Sequence, residues 1–335
     1  AILPKNSGDL PKLVEVLRKV SREDPSIKIE INEETGENLM HGMGELHLEV
    51  IENRITTEKG VEVKTSPPIV VYREAITKKS SEVEGKSPNK HNKLYFIVEP
   101  LDEEIRKGIK EGRIPSNARF RKKDDMVISF LRDECGWDAK TATQVKALFN
   151  GNMFMDMTRG QVHIGEIMEL VLDMFEDVMK QGPLAREPCM GVRVMLMDCT
   201  LHEDAIHRGP AQMYPAVREG IRGAMMQAGP CMFEPLQVTR IEAPHDYVGE
   251  VSKLVSAKRG QLLDMMQEGD QTIIIAKLPV GEMIGWSSDL RSATAGRGVS
   301  SLVDQSFERM PYELQEKVKQ QIIQRKGLTE GQLGA

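Results

Sequence analysis

No run of apolar residues in this chain approaches the length of about 18 that a membrane-spanning helix needs. The longest runs are short and broken by charge, as Val192 to Leu196 is by Arg193, so no membrane partner is implied. Cysteine is scarce: the four, at 135, 189, 199 and 231, form no CxxC pair, which argues against a disulfide framework and fits a reducing cytoplasm. A basic excess is missing too. With 45 Lys and Arg against 51 Asp and Glu the net charge is −6, so bulk affinity for nucleic acid is not expected and any such contact must come from local patches.

Motifs of catalysis are equally absent. There is no GxxxxGK[ST] loop, and the glycine-rich stretches "GMGE" and "TAGRG" lack the Lys-Ser/Thr pair that would hold phosphate and magnesium. No GxSxG elbow appears, and the Cys and His positions carry no local thiol-enzyme signature. The N-terminus, "AILPKNSGDLPK", has no initiator Met, no apolar h-region and no small-residue cleavage site. It is not a signal peptide, and it reads as the middle of something longer.

What is present suits a globular protein of two or three domains: 335 residues, 40% of them hydrophobic. In residues 1–66, Leu10, Leu13, Val14, Leu17 and Val20 recur at helical spacing behind Asp9 and Pro11. Ile27, Ile29 and Ile31 then alternate as in a half-buried strand, and "NEETGEN" turns the chain through Gly36. With the helix "GMGELHLEVIENRITTEKG" and the strand "VEVKT" the order is βαββαβ, a ferredoxin-like sandwich. The same order returns over 231–310, and the tail, 311–335, predicts a terminal helix packing back on the middle domain. The expected class is α+β, with two ferredoxin-like sandwiches flanking a middle domain at 67–230.

That middle segment has another grammar. Strands "PIVVYREAI" and "KLYFIVEPL" are joined by "KSPNKHNK", a loop with Lys86, Lys90, His91 and Lys93 but no acid. Residues 105–123 hold eight Lys and Arg against one Glu, as either a solvated helix face or an RNA contact. Ile164, Ile167, Met168, Val171, Leu172, Phe175, Val178 and Met179 make an apolar stripe with acids opposite. The 20 methionines read mostly as core filler.

The stretch "LHEDAIHRGPAQ", 201–212, joins a strand to a helix, a common place for function. Cys199, His202 and His207 form C-x2-H-x4-H, three possible zinc ligands with no evident fourth. The plainer reading is a pair of solvent-facing or loop-bracing histidines, as His41 and His47 read as packing or capping groups. Two hypotheses remain from the residues alone. One is a binding arm that docks its basic and histidine-bearing loops on RNA; the other is a small-molecule enzyme using His202, Asp204 and His207 as acid-base groups. The lack of a second catalytic constellation favours the first.

"HGMGELHLEV", "SPNKHNKLYF", "LHEDAIHRGPAQ", "SAKRGQLL" and "LRSATAGRG", in this order and from one end of the chain to the other, resemble the translation elongation factor 2 family, the ribosomal translocases of archaea and eukaryotes related to bacterial elongation factor G. "SPNKHN" and "DAIHRG" resemble the archaeal and eukaryotic branch, and "HRGPAQ" its archaeal members. The resemblance covers the family's third, fourth and fifth domains without the GTP-binding domain and the barrel after it. It implies a middle domain of the ribosomal protein S5-like type, an elongated arm whose tip enters the decoding region beside tRNA and mRNA.

His207 matches the histidine that the family converts to diphthamide and that ADP-ribosylating toxins recognise. The tip residues implied to contact tRNA, mRNA or rRNA are Lys86, Pro88, Asn89, Lys90, His91, Lys93, His202, Asp204, Arg208 and Gly209. Lys90, His91, Lys93 and Arg208 are expected to add positive charge there, and His202 with Asp204 to brace the loop. The implied partners are the ribosome, the diphthamide-synthesis enzymes, the toxins and the family's own N-terminal GTPase domains. No catalytic residue, cofactor or metal is expected in these domains; GTP and magnesium belong to the full-length parent, a translational GTPase. The resemblance implies a cytoplasmic monomer.

Overall fold

The computed structural model describes residues 1–31, 38–120, 125–329 and 331. The turn at Gly36 lies outside them, as do Arg121, Lys122 and Lys123 of the basic segment. The chain divides into two compact units, Ala1–Val71 with Pro235–Phe307 and Tyr72–Glu234 with Glu308–Ala335.

In the first unit, strand β1 (Ile2–Pro4), helix α1 (Leu10–Glu23), strands β2 (Lys28–Ile31) and β3 (Asn38–His41), helix α2 (Glu45–Thr57) and strand β4 (Val63–Thr65) follow one another. The sheet order is β2-β3-β1-β4 with antiparallel pairings, which is the ferredoxin-like arrangement. Leu13, Val16, Leu17 and Val20 of α1 and Ile51 and Ile55 of α2 share a core with Ile2, Ile27 and Val63. His47 ties the two helices: its Nδ1 accepts the Met43 N–H at 3.1 Å and its Nε2 lies 3.1 Å from the Asp24 carboxylate. Hydrogen bonds from Ser26 and from His47 hold the Asp24 carboxyl down to about 2.

The second unit opens with β5 (Arg73–Ile76), then β6 (Val83–Lys86), β7 (Lys93–Pro100), α3 (Glu103–Lys110), β8 (Ala118–Arg119), α4 (Asp125–Asp133) and α5 (Ala139–Ala142). It continues through β9 (Val145–Phe149), β10 (Asn152–Asp156), α6 (Ile164–Lys180), β11 (Val192–Thr200) and α7 (Pro210–Gln227). Its sheet runs β6-β7-β11-β10-β9-β8, with β10 and β11 parallel. The apolar stripe of α6 and the inner face of α7 bury Leu94, Phe96, Val98 and Phe154 on one side of the sheet. Ile105, Val127 and Leu131 of α3 and α4 cover Met153, Met155 and Met195 on the other.

One reading of this segment changes. "KSPNKHNK" does not join the strand 73–76 to β7; it closes a hairpin between β6 and β7, while β5 pairs with Pro230–Phe233. In the described part of the basic segment, Arg106, Lys107 and Lys110 are exposed while two other cations are drawn into ion pairs. Ile105 is buried, Arg113 pairs with Glu111 and Glu134, and Arg119 is gripped by Glu176, Asp173 and Glu169 along α6, which raises its pKa.

After α7 come β12 (Pro230–Pro244), α8 (Val248–Ala257), β13 (Gln261–Glu268), β14 (Gln271–Pro279), α9 (Trp286–Ala293) and β15 (Val299–Arg309), in the sheet order β13-β14-β12-β15. Helices α8 and α9 cover Ile241, Ala243, Ile274, Ala276 and Leu278, a second ferredoxin-like sandwich. The chain is thus α+β, with an S5-like middle sheet. The last helix, α10 (Tyr312–Lys326), buries Ile322 against Ala185 and Met232 of the second unit. Its Lys326 ammonium reaches the carbonyls of Ala185 and Arg186 at 3.1 and 2.6 Å and the Glu187 carboxylate at 2.6 Å. The neighbouring Glu74 carboxylate accepts N–H bonds from Leu184, Ala185 and Glu187 at 2.6, 2.8 and 2.9 Å. Burial pushes its pKa up, against the pull of those three donors.

Strand β6 lies on α7 at backbone distance. A Cβ on Gly85 would come within 1.9 Å of the Ala216 carbonyl oxygen, and one on Gly220 within 2.5 Å of the Phe96 ring. Ser81 reaches Gln227 at one end of this contact, and Asn89 reaches Gln212 at the other. Gly85→Ala therefore forces strand from helix, and urea unfolding of the chain should report a loss of about 1–3 kcal/mol.

Candidate functional site

The sheet places the two polar loops side by side. Thr200, the last residue of β11, is opposite Lys93, the first of β7, and Lys93 is opposite Lys86 at the end of β6. The hairpin 87–92 and the loop 201–209 therefore leave the same end of the sheet, and β6 running along α7 brings the hairpin to the helix start.

The hairpin is tightly closed. Lys90 N–H donates to the Ser87 carbonyl at 2.8 Å and Ser87 N–H to the Asn92 carbonyl at 3.0 Å, while the Ser87 hydroxyl accepts the Asn92 N–H at 3.0 Å. Lys90 sits in the left-handed region with φ 63°. In the second loop the Asp204 N–H donates to His202 Nδ1 at 3.0 Å, and Asp204 Oδ1 caps the short turn Ala205–Arg208 by accepting the Ile206 N–H at 3.1 Å. Gly209 then caps α7, whose first residue is Pro210.

Asparagines join the loops. Asn92, fully buried, accepts the His202 N–H on Oδ1 at 3.0 Å and donates from Nδ2 to the His207 carbonyl at 2.7 Å. Asn89 Nδ2 reaches the same carbonyl at 3.3 Å. The imidazoles of His91, His202 and His207 meet in a cluster: ring centroids are 5.1 Å apart for His91 and His202, 5.3 Å for His91 and His207, and 4.4 Å for His202 and His207.

Of the residues singled out in the sequence, Lys86, Pro88, Lys90, His91 and Asp204 are exposed, and Asn89, His202, His207 and Gly209 half-buried. Lys93 is tied to Glu84 at 3.0 Å, which raises its pKa. Arg208 departs from its expected place. It is 5% exposed and adds no charge to the surface. Its guanidinium donates to the carbonyls of His202 and Glu203 and to the Glu166 carboxylate. Hydrogen bonds from His163 and then from Arg208 hold the Glu166 carboxyl below its ordinary range. Arg208 is a brace for the loop from within.

Asn92, Ser87, Gln212, Glu166 and His163 escaped the sequence reading. Asn92 stands inside "SPNKHN" and could have been singled out there; nothing in sequence links Glu166 to a loop forty residues on.

Exposed lysines and imidazoles suit phosphates and base edges. Among the described residues no group of three or more His, Cys, Asp or Glu is placed to hold a metal ion. Cys199 is buried in the core, and its thiol is pushed up to about 12 by burial. Neither the zinc reading nor the small-molecule enzyme reading gains support. No helix among the described residues is long and apolar enough to cross a membrane.

Comparison with known proteins gives three successive matches to domain families: elongation factor G domain III over residues 1–67, elongation factor G domain IV over 112–229 and the elongation factor G C-terminus over 231–318. Among curated proteins the chain is 53% identical over 329 residues to elongation factor 2 of Methanocaldococcus jannaschii, covering 98% of this chain and 45% of that protein. It is 49% identical over 328 residues to elongation factor 2 of Thermococcus kodakarensis and 50% to that of Pyrococcus furiosus, covering 98% of this chain and 44% of each. The chain spans less than half the length of these relatives.

Replacing Arg208 by Ala should speed amide hydrogen exchange over 202–208 by about tenfold, the order of a charge-assisted hydrogen bond lost, while β11 keeps its protection. Lowering the pH should act in the same direction. The contribution of Glu166 is present above its ordinary pKa and lost as the pH falls through its depressed one.

Proposed function

The chain belongs to the elongation factor 2 family, and on that premise we propose that residues 86–93 and 201–209 form the tip with which a ribosomal translocase enters the decoding region beside tRNA and mRNA. The observation that carries this reading is the clamp on the second loop. It holds the His207 backbone fixed and leaves the ring clustered with those of His91 and His202, joined to a hairpin that carries exposed Lys86 and Lys90. A surface preorganised in this way loses little conformational entropy on docking to RNA.

In this proposal His207 is the residue converted to diphthamide and the target of ADP-ribosylating toxins, and the diphthamide-synthesis enzymes are partners of this loop. The rRNA, tRNA and mRNA of the ribosome meet the tip through Lys86, Pro88, Asn89, Lys90 and His91, while Lys93, His202, Asp204, Arg208 and Gly209 hold it in shape. GTP and magnesium are bound by GTPase domains outside these residues. The domains described here transmit the state of those GTPase domains and have no catalytic, cofactor or metal site of their own. The protein works in the cytoplasm as a monomer.

Incubation with archaeal or eukaryotic diphthamide-synthesis enzymes should add mass to the peptide containing His207; a gain elsewhere, or none, overturns the assignment. In the full-length protein, Lys86→Glu with Lys90→Glu should slow translocation by about tenfold or more with ribosome-stimulated GTP hydrolysis within about twofold of the parent. Equal loss of both would make the hairpin structural.

A further inference from the structure

An asparagine side chain offers one acceptor and two donor hydrogens, and Asn92 uses all of them. Oδ1 takes the His202 N–H, and Nδ2 donates to the His207 carbonyl at 2.7 Å and to the Ser87 hydroxyl at 3.3 Å. It thus grips the second loop at two points, one ahead of the turn Ala205–Arg208 and one within it, from a position with no exposed surface.

The rest of the His207 backbone is held as firmly. Its N–H donates to the Asp204 carbonyl at 3.1 Å, and the next residue, Arg208, is anchored to Glu166 on α6. The freedom left to His207 is rotation of its side chain, and the rings of His91 and His202 stand 5.3 and 4.4 Å away. A buried amide that spends its acceptor and one donor hydrogen on a neighbouring loop is more than sheet or core packing requires, since a solvent-facing turn can satisfy its carbonyls with water.

We propose that Asn92 is the positioning residue for the modification of His207. The enzyme that modifies the ring recognises the hairpin 87–92 and the loop 201–209 as one folded surface joined through this amide, although no hairpin side chain receives the group. This rests on the reading of His207 as the modified residue. The geometric half, that Asn92 sets the presentation of His207, stands apart from it.

Two measurements separate the halves. Diethyl pyrocarbonate acylates accessible imidazoles, and peptide mass spectrometry gives a rate for each histidine, with His245 and His163 as internal references. Asn92→Ala should raise the rate at His207 about fivefold, the order of one hydrogen bond lost. Ser87→Ala, which takes a partner from Asn92 but none from His207, should raise it clearly less than Asn92→Ala does. Asn92→Asp keeps the volume and the acceptor for His202 but replaces the donor to His207, and it carries the same comparison if the alanine variant fails to fold.

With the diphthamide-synthesis enzymes, the Asn92 variants should raise KM for the chain about fivefold with kcat within about twofold, as loss of recognition rather than of chemistry requires. The clamp is overturned by a His207 rate that neither Asn92 variant changes, by a rate that Ser87→Ala moves as far, or by a rise shared with His245. The recognition half is overturned by an unmoved KM. If the parent chain gains no mass at His207, the diphthamide reading falls and the recognition half with it, while the reagent rates still decide the clamp.

Discussion

At Gly85 strand β6 meets α7 with no side chain between them, because Gly85 puts no Cβ in front of the Ala216 carbonyl, and Gly220 puts none in front of Phe96. From that close approach the tip follows. The strand can run along the helix to its first turn, so the hairpin after β6 arrives where α7 begins, and the loop before α7 has a partner at hand. Sheet pairing alone would bring the loops to one end of the domain; the glycine contact brings them within hydrogen-bonding distance.

Buried polar groups then fix what the backbone brings together. Each is costly unless partnered, and this unit partners them across long sequence separations: Arg208 with Glu166, Asn92 with His202 and His207, Glu74 with the N–H groups of 184–187, Glu187 with Lys326. Arg208, Asn92, Glu74 and Glu187 are the buried members, and removing the partner of any of them leaves a buried polar group unsatisfied.

The two ferredoxin-like sandwiches were legible in the sequence because their helices repeat at 3.6 residues and their strands alternate, as Leu13, Leu17 and Val20 or Ile27, Ile29 and Ile31 do. Strand β6 was not. "VEGK" has one apolar residue and one glycine, and its place is set by a helix more than a hundred residues later. The two candidate loops were legible from their polarity, and their family from the order of five motifs. Arg208 was misplaced because sequence displays a charge and not its partner. His202 and His207 looked like a pair, and the third ring, His91, joined them only through the fold.

Lys90, at the outermost turn of the hairpin, carries a positive φ of 63°. Glycine adopts this conformation freely and asparagine readily, whereas a β-branched residue there is strained. The chemical vocabulary of the tip is therefore limited by backbone handedness before any partner is met. Substitutions there are filtered first by whether the turn closes, so the long flexible cation at this place sits at a conformational cost that glycine would not carry.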